Sequence, residues 1–283
     1  MYKEISGKII SAAVKDRIKE EVAALKEKGV TTGLAVIIVG EDPASKVYVA
    51  NKKKACEALG IISEEYALPE STTQEELLAL IRELNNKKSI NGILCQLPLP
   101  KHLDESIIIN SILPEKDVDA FHPANVGKIM IGDYDFVPCT PAGIMEMLDF
   151  EGIDISGKNC VVIGRSNIVG KPMSMLLLHK NGTVTVCHSK TQNLKSICAS
   201  ADILVAAVGR PNFVTADMVK EGAVVIDVGI NRVDGKLVGD VDFENVKDKC
   251  SAITPVPGGV GPMTICMLMT QTVESAEKLA GLR

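Results

Sequence analysis

The sequence predicts an α/β protein of two domains, the second built on a doubly wound parallel sheet. Three observations carry this reading. The stretch Cys160-Val161-Val162-Ile163-Gly164-Arg165-Ser166-Asn167-Ile168-Val169-Gly170-Lys171-Pro172 reads as a strand, a glycine turn and a helix. Its unbroken apolar run is what a strand covered on both faces needs. Similar runs at 34–39, 203–208 and 223–228 each end in a glycine (Gly40, Gly209, Gly229) and alternate with helical patterns, the signature of successive parallel strands joined by crossovers. Finally, a stretch rich in Gly and Asp, Asn125 to Val137, precedes Cys139-Thr140-Pro141, where Thr140 as N-cap and Pro141 at the first helical position would open a helix. The domain boundary is placed there, with a cleft expected between the two domains.

Composition narrows the function class. At 283 residues, 46% hydrophobic and 24% charged, the chain is an ordinary globular one, long enough for one large or two modest cores. A net charge of -5, with basic residues scattered among acidic ones and no Trp, gives neither an electrostatic footprint nor an aromatic ladder for nucleic acid. A small-molecule ligand is expected. The eight cysteines form no C-x-x-C pair and the four histidines no zinc spacing, so buried thiols of a reducing compartment are expected, and no metal. The polar start Met1-Tyr2-Lys3-Glu4 does not suit a secretory segment and no apolar run reaches membrane-spanning length, which predicts a soluble cytoplasmic protein.

Taken in order, a Lys/Glu-rich helix over about Ser11 to Lys28 leads to the buried strand Leu34–Val39. Asp42-Pro43-Ala44 then opens a helix that Gly60 stops. At 100° per residue Val49, Ala55, Cys56 and Leu59 share a stripe with Ser45 and Tyr48, and Lys52 falls at its centre, while Lys53 and Lys54 point to the polar side. Tyr48 and Lys52, spaced i, i+4, share a face. A lysine so placed either snorkels over the core or, desolvated, gives up its proton at neutral pH and serves as a base. A helix over about Thr73 to Asn85 precedes the strand Gly92–Cys95 and Gln96-Leu97-Pro98-Leu99-Pro100. The prolines end the strand, leaving Gln96 at its carboxyl end as a ligand-facing or capping amide. Asp119, in Lys116-Asp117-Val118-Asp119-Ala120, is a candidate buried carboxylate or a turn residue.

In the second domain the glycine turn departs from G-x-G-x-x-G: Ser166 replaces the second glycine and Gly170 comes one residue late. It is either an ordinary strand-turn-helix or a Rossmann-like pyrophosphate site. After the next strand, Thr183–Cys187, His188-Ser189-Lys190 stand where an NAD enzyme carries an acid for the ribose hydroxyl. With Arg165 they make that end basic and hydroxylated, which favours NADP over NAD. Thr254-Pro255-Val256-Pro257-Gly258-Gly259-Val260-Gly261-Pro262 is a loop with little side chain, suited to lying against a flat ring or to a plain interdomain turn. A final helix from about Met263 returns toward the first domain.

Separated stretches together resemble one family. They are Pro43-Ala44-Ser45 with Tyr48-Val49 and Lys52-x-Lys54-Ala55; Gln96-Leu97-Pro98-Leu99-Pro100; Lys116-Asp117-Val118-Asp119; Gly164-Arg165-Ser166 with Val169-Gly170-x-Pro172; and Pro257-Gly258-Gly259-Val260-Gly261-Pro262-Met263-Thr264. Their order and spacing resemble methylenetetrahydrofolate dehydrogenase/methenyltetrahydrofolate cyclohydrolase over nearly the whole chain. The resemblance implies oxidation of 5,10-methylenetetrahydrofolate with NADP and hydrolysis of the product to 10-formyltetrahydrofolate, in one-carbon metabolism and purine biosynthesis. It implies a catalytic group of Lys52, Tyr48, Gln96 and Asp119, with Lys52 the catalytic lysine, Tyr48 its partner, Gln96 tuning it and Asp119 holding the pterin. Folate-binding positions then also include Ser45, Cys95, Leu97, Pro257, Gly258, Gly259, Val260 and Pro262, and cofactor-binding ones Gly164, Arg165, Ser166, Ser189 and Ile230. Residues 1–139 with the helix 264–283 become the folate-binding domain, 140–263 the NADP-binding domain, and a homodimer through the latter is implied. The one departure is Ala120, where the family usually has glycine. Competing readings are another NADP oxidoreductase with the domain order of a shikimate dehydrogenase, and an NADP-binding module without turnover.

Overall fold

The computed structural model describes residues 2–283, apart from the side chain of Ala44. In chain order the first elements are β1 (Lys3–Glu4), α1 (Gly7–Glu27), β2 (Gly33–Val39), α2 (Pro43–Leu59), β3 (Ile62–Leu68), α3 (Gln74–Asn86), β4 (Gly92–Cys95), α4 (Glu105–Ser111), α5 (Pro123–Ile131) and α6 (Cys139–Phe150). There follow β5 (Asn159–Ile163), α7 (Gly170–His179), β6 (Thr183–Cys187), α8 (Leu194–Cys198), β7 (Ile203–Ala206), β8 (Ala223–Asp227), β9 (Asn231–Val233), β10 (Lys236–Val238), α9 (Phe243–Val246), β11 (Cys250–Ile253) and α10 (Val260–Leu279). Two compact units emerge. One comprises Ala13–Lys128, Tyr134–Cys139 and Ile265–Arg283, the other Met1–Ala12, Ile129–Asp133 and Thr140–Thr264.

The first unit holds a three-stranded parallel sheet in the order β3-β2-β4. Every residue of β2 and β4 is buried, which is why both read as unbroken apolar runs. Its core joins Ala35, Ile37 and Val39 of β2 to Leu77, Ile81 and Leu84 of α3 and to Ile93 and Cys95 of β4. The chain enters at the central strand, crosses to β3 and returns to β4 on the other side. The order therefore reverses between β2 and β4, and the carboxyl ends of those strands are where such a sheet opens a ligand crevice. α2 begins just past the end of β2 and Gln96 just past the end of β4.

The second unit holds a six-stranded sheet in the order β1-β11-β8-β7-β5-β6, parallel throughout. Its order reverses between β5 and β7, at Gly164 and Gly209. The core unites Val161, Ile163, Leu204, Ala206, Val225 and Ile253 with Val214, Met218 and Val246. β9 and β10 form a separate antiparallel hairpin around Asp234-Gly235, both at positive φ, as a tight hairpin turn demands.

Several elements differ from the periodicity reading. The stretch read as a connection rich in Gly and Asp begins as helix α5, and α6 starts at Cys139 instead of being capped by Thr140. α10 begins at Val260, inside the stretch read as loop. β3, with its mixed Ser63-Glu64-Glu65 run, is an edge strand: one neighbour suffices to pair its backbone, so its side chains need not be apolar.

Candidate active site

Asp42 caps α2, its carboxylate accepting from Ser45 N at 2.7 Å with Pro43 at the helix start, and Gly60 ends the helix at φ 76. The buried stripe runs Ser45, Val49, Lys52, Cys56, Leu59, each no more than 9% exposed. Lys53 and Lys54 are exposed. Tyr48, on the same side but at the rim, is 40% exposed.

Lys52 Nζ donates to Gln96 Oε1 at 2.7 Å, and Gln96 Nε2 donates to Leu97 O at 2.8 Å. The second bond fixes which end of the amide faces the lysine. Gln96 N in turn donates to Ile37 O at 2.8 Å, so β2 anchors the backbone from which the amide projects. Burial holds the Lys52 ammonium below the usual lysine range, against the opposing charges of Asp119 and Cys139. The balance follows from magnitudes: desolvating an ammonium costs several kcal/mol, whereas a single charged hydrogen bond returns about 1.5–3 kcal/mol. Asp119 moves toward its neutral form, its carboxyl raised by burial against the Cys139 N–H and the Lys52 charge. Cys139 N donates to Asp119 Oδ1 at 3.0 Å. The Cys139 thiol is pushed well up by burial and by Asp119. Lys52, Gln96 and Asp119 thus come together, and among the described residues Tyr48 makes no hydrogen bond to them. The Cys95 thiol lies in the core and is pushed up to about 12 by burial. Ala120 stands at φ 54, in the left-handed region that a β-carbon disfavours, which is the physical reason a glycine suits that place.

In the second unit Gly164 (φ 125) ends β5, and a β-carbon there would overlap the Ala207 carbonyl. One at Gly170 would overlap the Gly164 carbonyl. The extra residue before Gly170 is absorbed by a turn that Ser166 closes, its hydroxyl accepting from Val169 N (3.2 Å) and Gly170 N (3.3 Å). Ser166 therefore takes over part of the helix terminus that a glycine would leave open. β5 and β6 pair in register to Ile163 and Cys187, so Arg165-Ser166 and His188-Ser189-Lys190 leave adjacent strand ends. Arg165, Ser166, Ser189 and Lys190 are exposed, and no carboxylate follows β6 directly. This end fits a 2'-phosphate. In the Pro257 loop, Gly258 O accepts from Lys8 N at 3.2 Å and a β-carbon on Gly7 would overlap Gly259 O, so it is Gly7, at the start of α1, whose missing side chain lets the loop backbone approach. A β-carbon on Gly261 would lie 3.5 Å from Ile230 Cδ1, which brings the loop beside Ile230, itself 47% exposed.

Two buried carboxylates escaped the periodicity reading. Asp240 accepts from Val208 N, Gly209 N, Arg210 N (2.7, 2.9, 2.8 Å) and Asn231 Nδ2 (3.0 Å). Asp227 accepts from Gly229 N, Asp240 N and Val241 N (3.0, 2.8, 2.9 Å). They shape the turns after β7 and β8; an aspartate closing the apolar run Ala223-Val224-Val225-Ile226-Asp227 was the available signal. Burial raises Asp227 to about 6, against its backbone donors. Because the folded pKa lies above the unfolded one, the folded state holds the extra proton between about pH 4 and 6, and stability falls as pH rises through that window. Relative to Asp227→Asn, wild type should lose up to about 3 kcal/mol between pH 4 and 7; parallel urea-unfolding profiles would refute this.

Comparison with known proteins bears on the family. Residues 5–119 match the family model for the catalytic domain of tetrahydrofolate dehydrogenase/cyclohydrolase, and residues 138–280 that for its NAD(P)-binding domain. The chain is 62% identical to the bifunctional protein FolD of Acetivibrio thermocellus over 282 residues, 99% of each chain. Among solved structures, the bifunctional methylenetetrahydrofolate dehydrogenase/cyclohydrolase of Campylobacter jejuni is 52% identical at a TM-score of 0.97, covering 99% of this chain and 100% of that one. The Trypanosoma brucei enzyme, solved with NADP and an inhibitor, is 39% identical at a TM-score of 0.94, covering 99% and 98%. With both domain models matched in order and relatives this similar along their full length, the chain belongs to the tetrahydrofolate dehydrogenase/cyclohydrolase family.

Proposed function

We propose that this protein oxidises 5,10-methylenetetrahydrofolate with NADP and hydrolyses the resulting 5,10-methenyl cation to 10-formyltetrahydrofolate, with Lys52 as the base of the second step. The observation that carries this is the buried Lys52 amine held on Gln96 Oε1 beside Asp119. Residues 1–139 with 264–283 act as the folate-binding domain and 140–263 as the NADP-binding domain. Gly164, Arg165, Ser166, Ser189 and Ile230 would hold the cofactor. NADP, when bound, supplies the hydride acceptor.

The chemistry explains the site's electrostatics. The methenyl product is a cation, and a second full positive charge about 4 Å away would cost about 4 kcal/mol under the screening of a protein surface. A neutral Lys52 avoids that repulsion. It accepts a proton from water as the oxygen bonds to the methenyl carbon. The C–N5 bond of that adduct then breaks, its hydroxyl becoming the formyl carbonyl with the proton passing to N5. Gln96 orients the amine, Asp119 takes the polar edge of the pterin, and Tyr48, exposed at the rim, closes over the bound substrate. Ser45, Cys95, Leu97 and the loop Pro257, Gly258, Gly259, Val260 and Pro262 complete the folate contacts, Cys95 through its backbone.

A time course with 5,10-methylenetetrahydrofolate, comparing NADP with NAD, tests this. Reduced NADP with little methenyl accumulation is expected; no reduction with either nucleotide would refute it. The shikimate-dehydrogenase-like and non-catalytic readings have no comparable support. The family resemblance supports a homodimer through the NADP-binding domain. That no helix of the described residues is long and apolar enough to cross a membrane is compatible with work in the cytoplasm. Sedimentation velocity should give twice the 30.2 kDa chain mass, and a monomer at micromolar concentration would exclude the dimer.

A further inference from the structure

Asp119 sits in a turn whose next residue, Ala120, has φ 54, so no regular element holds the carboxylate from that side. We infer that Gln271, on α10, is the positioning residue that holds Asp119 in place for the pterin. Its side chain is 4% exposed and fully used. Oε1 accepts from Val137 N at 2.8 Å, while Nε2 donates to Val118 O at 2.8 Å and to Cys139 Sγ at 3.3 Å. One amide thus staples the residue before Asp119 to the segment whose Cys139 N–H donates to Asp119 Oδ1 at 3.0 Å. The Cys139 thiol adds a bond to Val118 O at 3.4 Å. A site group is held most precisely when the residues behind it are locked onto a rigid element, and α10 supplies one far along the chain from both segments.

The inference rests on the folate reading above. Gln271→Leu removes the staple. Gln271→Glu keeps the shape and the Val137 acceptor but cannot donate to Val118 or Cys139. Thr272→Val removes the buried hydroxyl that donates to Leu268 O at 2.7 Å on the same helix and controls for loss of stability alone. Both Gln271 variants should raise KM for 5,10-methylenetetrahydrofolate about tenfold or more, a loss of about 1.4 kcal/mol, and leave KM for NADP unchanged. Thr272→Val should lower the melting temperature and move neither constant. A second readout is the carboxyl resonance of Asp119 in protein labelled with 13C-aspartate, assigned by its loss in Asp119→Asn. The groups facing it are Lys52 of α2, Cys139 of α6 and Asp117 of its own loop. Losing the Cys139 N–H removes a bond that favours the carboxylate, so the resonance should titrate at higher pH in Gln271→Leu. If that variant does not fold, Gln271→Glu carries the test. Unchanged folate KM and an unmoved resonance would overturn the positioning role alone. A wild type without folate-dependent cofactor reduction would overturn the folate reading, and the resonance would still report whether Gln271 holds Asp119.

Discussion

Lys52→Met should lower the cyclohydrolase rate by about two to four powers of ten, the range a positioned general base contributes, and leave the fold intact. Methionine keeps the length of the buried stem and drops only the amine, so the stripe of Val49, Cys56 and Leu59 keeps its packing. The loss should be far greater for hydrolysis than for cofactor reduction, because the hydride is transferred between substrate and cofactor and asks no base of the protein. Methenyltetrahydrofolate would then accumulate during the dehydrogenase assay. Equal loss of both activities would mean that Lys52 binds the substrate and does not act as a base. Full retention of hydrolysis above the uncatalysed rate would remove it from the chemistry.

Gln96→Glu should separate charge from geometry. It places a carboxylate where an amide oxygen now accepts from Lys52 at 2.7 Å. An adjacent negative charge favours the ammonium, so the Lys52 pKa should rise from its lowered position. Hydrolysis needs the neutral amine, so its rate rises with pH through that pKa. In wild type the rise lies below the usual lysine range, and in Gln96→Glu it moves to higher pH. The variant should lose cyclohydrolase activity about tenfold for each unit of that shift at neutral pH and recover part of it in alkaline buffer. An identical pH profile in the two proteins would show that the observed ionisation belongs to another group.

Local periodicity made much of this legible. The stripe on α2 puts Lys52 among apolar neighbours by spacing alone, and Asp42, Pro43 and Gly60 mark the ends of that helix. The strands buried on both faces were unmistakable, since a continuous apolar run bounded by glycine has few other uses. Periodicity does not reveal β3, β1 or β11. Their residues are polar or the runs short, and what makes them strands is a neighbour able to pair, as Lys3 and Glu4 pair with Ala252 and Ile253. α5 was obscured by Gly127 and the run Gly132-Asp133. The serine in the nucleotide turn counted as a departure from the glycine pattern; the structure gives it a task, closing the wider turn through Val169 N and Gly170 N.

The alternation of strands and helices, the class of fold and the residue types at the site are local properties of the chain, because each depends on the period of apolar side chains and on turn residues close in sequence. What those residues do to one another depends on contacts between distant segments. Lys52 reaches Gln96 across 44 positions, Gln271 fastens Val118 from 153 positions away, and Tyr48 stays at the rim although it shares the face of Lys52. Desolvation lowers the lysine and raises Asp119. It is a property of the space around a group, which chain segments distant in sequence must assemble before it acts.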